Sequence, residues 1–175
     1  TLLFSGQTHT LQTGSSVTGP GTVGFPGGTT TMFDLYNVTG LTSITGGTAN
    51  FSSLTGASVA DSVTQTGGTI GGTDTLVING PYNWSSGTNA DSGLTRIAST
   101  GLFNVSGTAI KTLNSRVIRQ ESPFGSWTNT GSISGGNGGQ LEIAAGASWD
   151  IQTDAAFIWG FGGQPIFFNN GTLRR

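Results

Sequence analysis

Short apolar segments separated by glycine-rich turns run the length of the chain, and hardly any stretch keeps apolar residues at helical spacing. Thr22–Phe25, Thr48–Phe51, Thr75–Ile78, Gln140–Ile143 and Pro165–Phe168 are each four residues long and are followed within three residues by Gly, Asn or Ser. That length and punctuation predict short strands that end at a bend. The nearest approach to an amphipathic helix is Thr108–Gln120, with Ala109, Ile110, Leu113, Val117 and Ile118. Asn114 and Ser115 interrupt it and no Glu-to-Lys pair supports it, so it reads better as two strands with a turn at Asn114–Ser115.

Self-similarity narrows the fold. Gly-Thr or Gly-Ser followed by an apolar or small residue recurs at Gly21-Thr22-Val23, Gly47-Thr48-Ala49, Gly68-Thr69-Ile70, Gly107-Thr108-Ala109, Gly131-Ser132-Ile133 and Gly171-Thr172-Leu173, with Gly87-Thr88 a weaker member. The spacings are 26, 21, 19, 20, 24 and 40 residues, the last about two turns. A period near 20 with drifting loop length predicts an all-β parallel β-helix, or β-solenoid, of about seven to eight coils. Each Gly bends the chain between sheets, Thr and Val favour the pleat, and every coil covers the apolar face of the next. Asn129 and Asn169-Asn170 are placed to stack as ladders along the axis. The alternative is an antiparallel β-sandwich, but the only Asn-Gly pairs are Asn79-Gly80, Asn137-Gly138 and Asn170-Gly171, few for a fold built of hairpins. Residues 1–175 read as a single solenoid segment, a window of a longer repetitive chain.

Composition changes the picture in three ways. Charged residues are 8% of the chain, against about 25% in an average domain. The net charge of −2 offers no field to attract nucleic acid. The longest apolar run, about Ala155–Phe161, is far below the roughly 20 residues of a membrane span, so no membrane insertion is expected. With no cysteine, neither disulfides nor thiolate metal sites hold the fold together, and a long backbone ladder is the natural source of cohesion.

Several phrases resemble a family of large bacterial secreted and cell-surface repeat proteins. They include Thr8-His9-Thr10-Leu11, Gly14 to Val23, Tyr36-Asn37-Val38-Thr39-Gly40, Ile44 to Phe51, Asn83-Trp84-Ser85-Ser86-Gly87 and Phe168-Asn169-Asn170-Gly171-Thr172-Leu173. The resemblance implies a β-helical, adhesin-like stem outside the cell and brings no catalytic residues with it. Ser115–Trp127, with Arg116, Arg119, Glu121 and Pro123, departs most from these phrases.

Polysaccharide-cleaving enzymes also use parallel β-helices, and a hydrolase needs paired carboxylates on one groove. Asp74 with Asp91 and Glu121 with Glu142 are spaced to meet on adjacent coils, though neither pair sits in a motif. Asp150 and Asp154 lie about 13 Å apart in an extended strand, too far to share an ion. Gly135 to Gln140 departs from a calcium-binding nonapeptide, because Gln140 stands where a ligand Asp belongs. His9, the lone histidine, has no partner for metal or nucleophile chemistry. No catalytic residue, metal or cofactor is therefore assigned. Thr29-Thr30-Thr31 suggests ice binding, but the drift in Thr spacing argues against a regular array. Trp84, Trp127, Trp149 and Trp159 are the candidate carbohydrate contacts, with core packing the favoured alternative for each. The chain thus reads as a structural extracellular segment, a stalk or self-assembling fibre, whose partners are copies of itself or flanking coils stacked end to end. A polysaccharide-binding adhesin module is the second reading, and a polysaccharide lyase or hydrolase the third.

Overall fold

A computed structural model describes residues 1–175, and its strands follow one another around a three-sided prism. The first turns are β1 (Leu2–Leu3), β2 (Thr8–Leu11), β3 (Ser16–Gly19), β4 (Val23–Phe25), β5 (Thr29–Met32), β6 (Leu35–Ile44), β7 (Thr48–Phe51) and β8 (Ser58–Gly71). The middle holds β9 (Thr75–Ile78), β10 (Pro81–Asn89), β11 (Leu94–Ile97), β12 (Leu102–Val105), β13 (Lys111–Asn114), β14 (Val117–Gln120) and β15 (Gly125–Trp127). The last turns are β16 (Ile133–Gly136), β17 (Gln140–Ile143), β18 (Ser148–Ile151), β19 (Phe157–Phe161), β20 (Ile166–Asn169) and β21 (Thr172–Arg174).

Every pairing is parallel, which excludes the antiparallel sandwich. The first face stacks β1, β4, β6, β8, β10, β12, β15, β18 and β21. The second stacks β2, β5, β7, β8, β10, β13, β16 and β19. The third stacks β3, β6, β8, β9, β11, β14, β17 and β20. Three strands run on through a corner, so β6, β8 and β10 serve more than one face. The result is a parallel β-solenoid of eight turns with one strand more. Thr108–Gln120 is the expected strand pair, β13 and β14, with Ser115 at φ 65° in the turn between them.

The repeat drifts because the corners absorb the variation. One turn takes as few as 18 residues between Ser58 and Leu76 and as many as 26 between Gln140 and Ile166. Within the faces the register hardly wavers: Thr8, Thr29, Thr48, Thr69, Thr88, Thr112 and Ser134 form one file on the outside of the second face. The threonines are therefore in step, contrary to the irregular array expected from their sequence spacing. The Gly-Thr signature marks two corners, not one. Gly47, Gly68 and Gly87 precede the second face, whereas Gly21 and Gly171 precede the first. At Gly68 the backbone has φ +60° and a Cβ would collide with the Gly47 carbonyl oxygen of the turn before, so glycine is required twice over.

Alternation then separates the surfaces. β5, β7, β9 and β11 all bury every second residue, the period-2 pattern of a pleated strand. Inward residues form files such as Leu76, Thr95, Ile118, Leu141 and Phe167 on the third face, and 28 buried residues make one continuous core. Asparagine ladders exist, but not where expected. Asn104 donates to Asn83 at 2.9 Å, Ser126 to Asn104 at 3.1 Å, and Asn137 to Asn114 at 2.8 Å. Asn129 instead adopts a left-handed turn at φ 67°, and Asn169 only caps its own bend at Gly171.

Candidate functional site

Trp84, Trp127 and Trp149 lie on the first face and point inward. Their polar neighbours, which left their role open, are simply the outward positions of the same strands. Trp149 is 0% exposed and stacks at 5.8 Å on Phe103, 5.5 Å on Trp127 and 6.3 Å on Phe167. It reaches Phe103, two turns away, because Gly125 in the turn between has no side chain; a Cβ there would come within 2.6 Å of the indole. Trp84 stacks on Tyr82 at 6.4 Å and is equally buried. These three rings cannot meet a glycan while the solenoid is folded. Trp159 alone is open, 64% exposed on the last turn.

The charged residues are mostly engaged with one another or with the backbone. Glu121 accepts from the Arg96 guanidinium at 2.7–3.0 Å and Glu142 from Arg119 at 2.7 Å, so each member of that acid pair has its own arginine. Asp91 accepts from the Gly72 amide at 2.7 Å beside the buried Arg116. Arg116 donates to Thr95 Oγ1 at 2.8 Å and to the carbonyls of Gly72 and Ala90 at 3.0 and 3.2 Å. Burial strips water from its guanidinium and lowers its pKa to about 10, while Tyr82, Asp91 and Asp74 work in the opposite sense. Lys111 is likewise turned inward, its ammonium held by the Ala109 carbonyl at 2.9 Å and its pKa lowered by burial.

Arg116 ends a polar chain that crosses the interior. Tyr82 donates to Gln65 at 2.6 Å, Asn89 to Tyr82 at 2.8 Å, and Thr95 to Asn89 at 3.4 Å. Sequence reasoning missed this chain; the one available signal was that Ser115–Trp127 breaks the repeat phrases. Of the remaining candidates, Asp150 accepts from Gln152 at 2.6 Å and Asp154 pairs with Arg175. His9 packs edge-on against Phe4 at 5.5 Å in the first turn. Gly135 and Gly136 leave room for Pro165, Phe157 and Phe161 of the following turn.

Two of the remaining surfaces carry exposed aromatic or apolar side chains beside strand edges or a groove. The first is the pair of end faces. β19, β20 and β21 each pair with a strand on one side only, and their turn exposes Ile158, Trp159, Ile166, Phe168 and Leu173. At the opposite end β1, β2 and β3 are also single-sided, with Leu2 and Leu3 exposed. The second is a shallow groove of about 280 Å³ on the first face, lined by Leu102, Phe124, Ser126, Ser148, Asp150 and Arg174. Phe124 is 70% exposed and is held outward by a tight turn, in which the Phe124 amide donates to Ser122 Oγ at 3.1 Å. No family model matches the chain, nor does any curated protein or solved structure.

Proposed function

We propose that the chain is a structural segment of an extracellular rod, a surface stalk or fibre, extended at its two end faces by copies of itself or by further coils. The observation that carries this reading is the last turn. Five large apolar side chains crowd it, beside three strand edges whose outer N–H and C=O groups have no strand to pair with. Such an edge is a template for another strand, and in stacked-repeat architectures each unit is stabilised mainly by its neighbours. The low charge of the faces and the close-packed interior fit a spacer, and the reading assigns no catalytic residue, metal or cofactor. Sedimentation velocity and negative-stain microscopy over a concentration series test it. Elongated particles are expected, lengthening with concentration where copies supply the extension; a compact, strictly monomeric globule with covered ends overturns it.

A second reading, polysaccharide binding, is favoured by the first-face groove. There an exposed aromatic ring stands beside Ser126, Asp150 and Arg174, a combination that suits a sugar's apolar face and its hydroxyls. A glycan array with Phe124→Ala and Trp159→Ala variants tests it. Loss of binding in the first variant supports it; no binding, or binding indifferent to both changes, sinks it.

A further inference from the structure

On the first face the outward residues of β10, β12 and β15 line up in two files that run along the axis. Pro81 and Leu102 are register partners, and Phe124, one residue ahead of β15, shares the groove with Leu102; all three are exposed. Two residues further along the strands, Asn83, Asn104 and Ser126 are partners in turn. The apolar and the polar file lie about 6.6 Å apart, and both rise by about 4.8 Å per turn. Each turn therefore offers one apolar contact and one hydrogen-bonding group at the same level. The polar file is not used up by its own ladder. Asn83 spends only its oxygen there, and Asn104 its oxygen and one N–H, so the Asn83 amino group and the second Asn104 N–H remain to donate outward.

We propose that this strip binds an uncharged, straight polysaccharide lying along the solenoid axis, its ring faces on Pro81, Leu102 and Phe124 and its hydroxyls on Asn83, Asn104 and Ser126. This rests on the polysaccharide reading above and adds the class of the ligand and its direction. A pyranose with equatorial hydroxyls shows C–H bonds on its faces and hydroxyls around its rim, which matches one apolar file beside one polar file. β-linked rings of this kind form a straight ribbon that stays in step with straight files, whereas the α-linked chain coils away from them. Laid across the strands, the ribbon would leave the apolar file after one ring. Charge selects against a polyanion. Lys111 and Arg116 are turned inward, Arg96 and Arg119 stand on the third face, and Arg175 pairs with Asp154. Only Arg174 lines the groove, and its lateral neighbour Asp150 offsets it. A uronic-acid chain would find no counter-charge beside the two files, and a neutral one needs none.

Isothermal titration calorimetry with cellohexaose tests this, with maltohexaose as the coiled comparison and hexagalacturonate as the charged one. Cellohexaose should bind, and the other two at least about tenfold more weakly. Phe124→Ala should weaken cellohexaose about tenfold. Pro81→Ser and Asn83→Ala, two turns or about 10 Å from Phe124 and outside the groove, should each weaken it about threefold. Circular dichroism checks that each variant keeps its sheet, and the exposed Pro81 serves alone if Asn83→Ala disturbs the ladder. If Phe124→Ala abolishes binding while the two distant changes leave it untouched, the ligand is confined to the groove; the lengthwise strip is overturned and the polysaccharide reading stands. Equal or tighter binding of maltohexaose or hexagalacturonate overturns the ligand class and likewise leaves that reading standing. If none of the three oligomers binds, the strip is overturned, and the polysaccharide reading falls with it only when the glycan array is blank as well.

Discussion

Trp149→Ala should remove about 4 kcal/mol of stability. A buried tryptophan withdraws 150–250 Å² from water, and at about 25 cal/mol per Å² that is worth about 4–6 kcal/mol, reduced to about 3–5 because the unfolded chain already buries part of it. The stacks on Phe103, Trp127 and Phe167 add to this at about 0.5–1.5 kcal/mol each. The indole N–H, buried with no hydrogen-bond partner, takes about 1–3 kcal/mol back. The net falls in the range measured for large-to-small changes in cores. Trp149→Phe keeps the stacking and deletes the orphaned donor, so it should cost no more than about 1.5 kcal/mol. Trp159→Ala, on an exposed ring, should cost less than about 1 kcal/mol in the monomer. Urea unfolding followed by circular dichroism measures all three. Because stability in a stacked array is local, amide exchange should also accelerate first in β12, β15, β18 and β21. A loss below about 1 kcal/mol for Trp149→Ala, or an equal loss for Trp159→Ala, would refute the assignment of Trp149 to the core.

Three further outcomes follow from the same packing. Tyr36 and Tyr82 are the only tyrosines, and burial drives both phenols above their ordinary range. Above about pH 10 the unfolded chain thus loses phenolic protons that the folded chain keeps, and stability falls as pH rises. Arg116, with its pKa at about 10, acts in the opposite sense between there and the ordinary arginine range, but one guanidinium opposes two phenols. Phenolate absorbance should appear only as the β-sheet signal disappears; a phenolate titrating near pH 10 in the folded protein would contradict this. Gly68→Ala should cost at least about 2 kcal/mol more than Gly146→Ala, since both have positive φ but only Gly68 faces a backbone collision; thermal melts compare them, and equal costs would remove the collision argument. Arg116→Met, which strips donors from Thr95, Gly72 and Ala90, should cost about 3–5 kcal/mol, against less than about 1 kcal/mol for Arg96→Met, whose pair with Glu121 lies toward solvent. Comparable losses in the two variants would show that Arg116 does not hold its corner together.

The strands were legible in the sequence because they follow local rules. Thr48–Phe51, Thr75–Ile78 and Gln140–Ile143 coincide with β7, β9 and β17, each a short pleated run with a glycine or asparagine bend next to at least one of its ends. The corners were harder. Gly-Thr marks two of the three bends, so counting it as one mixed different places on the prism and made the period look less regular than the threonine file is. Side-chain direction was the other blind spot. Ser126-Trp127-Thr128 reads the same whether the indole faces in or out, since alternation settles only that neighbours differ. Arg116 defeated local reading altogether. A lone arginine among polar residues reads as surface, and only the corner carbonyls of preceding turns, gathered by the fold, explain its burial. Phe124 was overlooked for a related reason: its exposure depends on Ser122 reaching back to Gly101 at 2.5 Å, a contact between turns.

The backbone hydrogen bonds of this prism point along its axis, as in Ala98 to Ile78 at 2.9 Å and Thr172 to Ala147 at 2.9 Å. A pull on the two ends of the molecule therefore loads them as rows that peel one after another, not as a patch that shears at once. The chain would unspool like thread from a bobbin, each released loop of 18 to 26 residues paying out roughly 60–90 Å at about 3.3–3.6 Å per residue. Force spectroscopy would then record an evenly toothed trace of small steps, and the molecule would serve under tension as an extensible tether that yields long before it breaks.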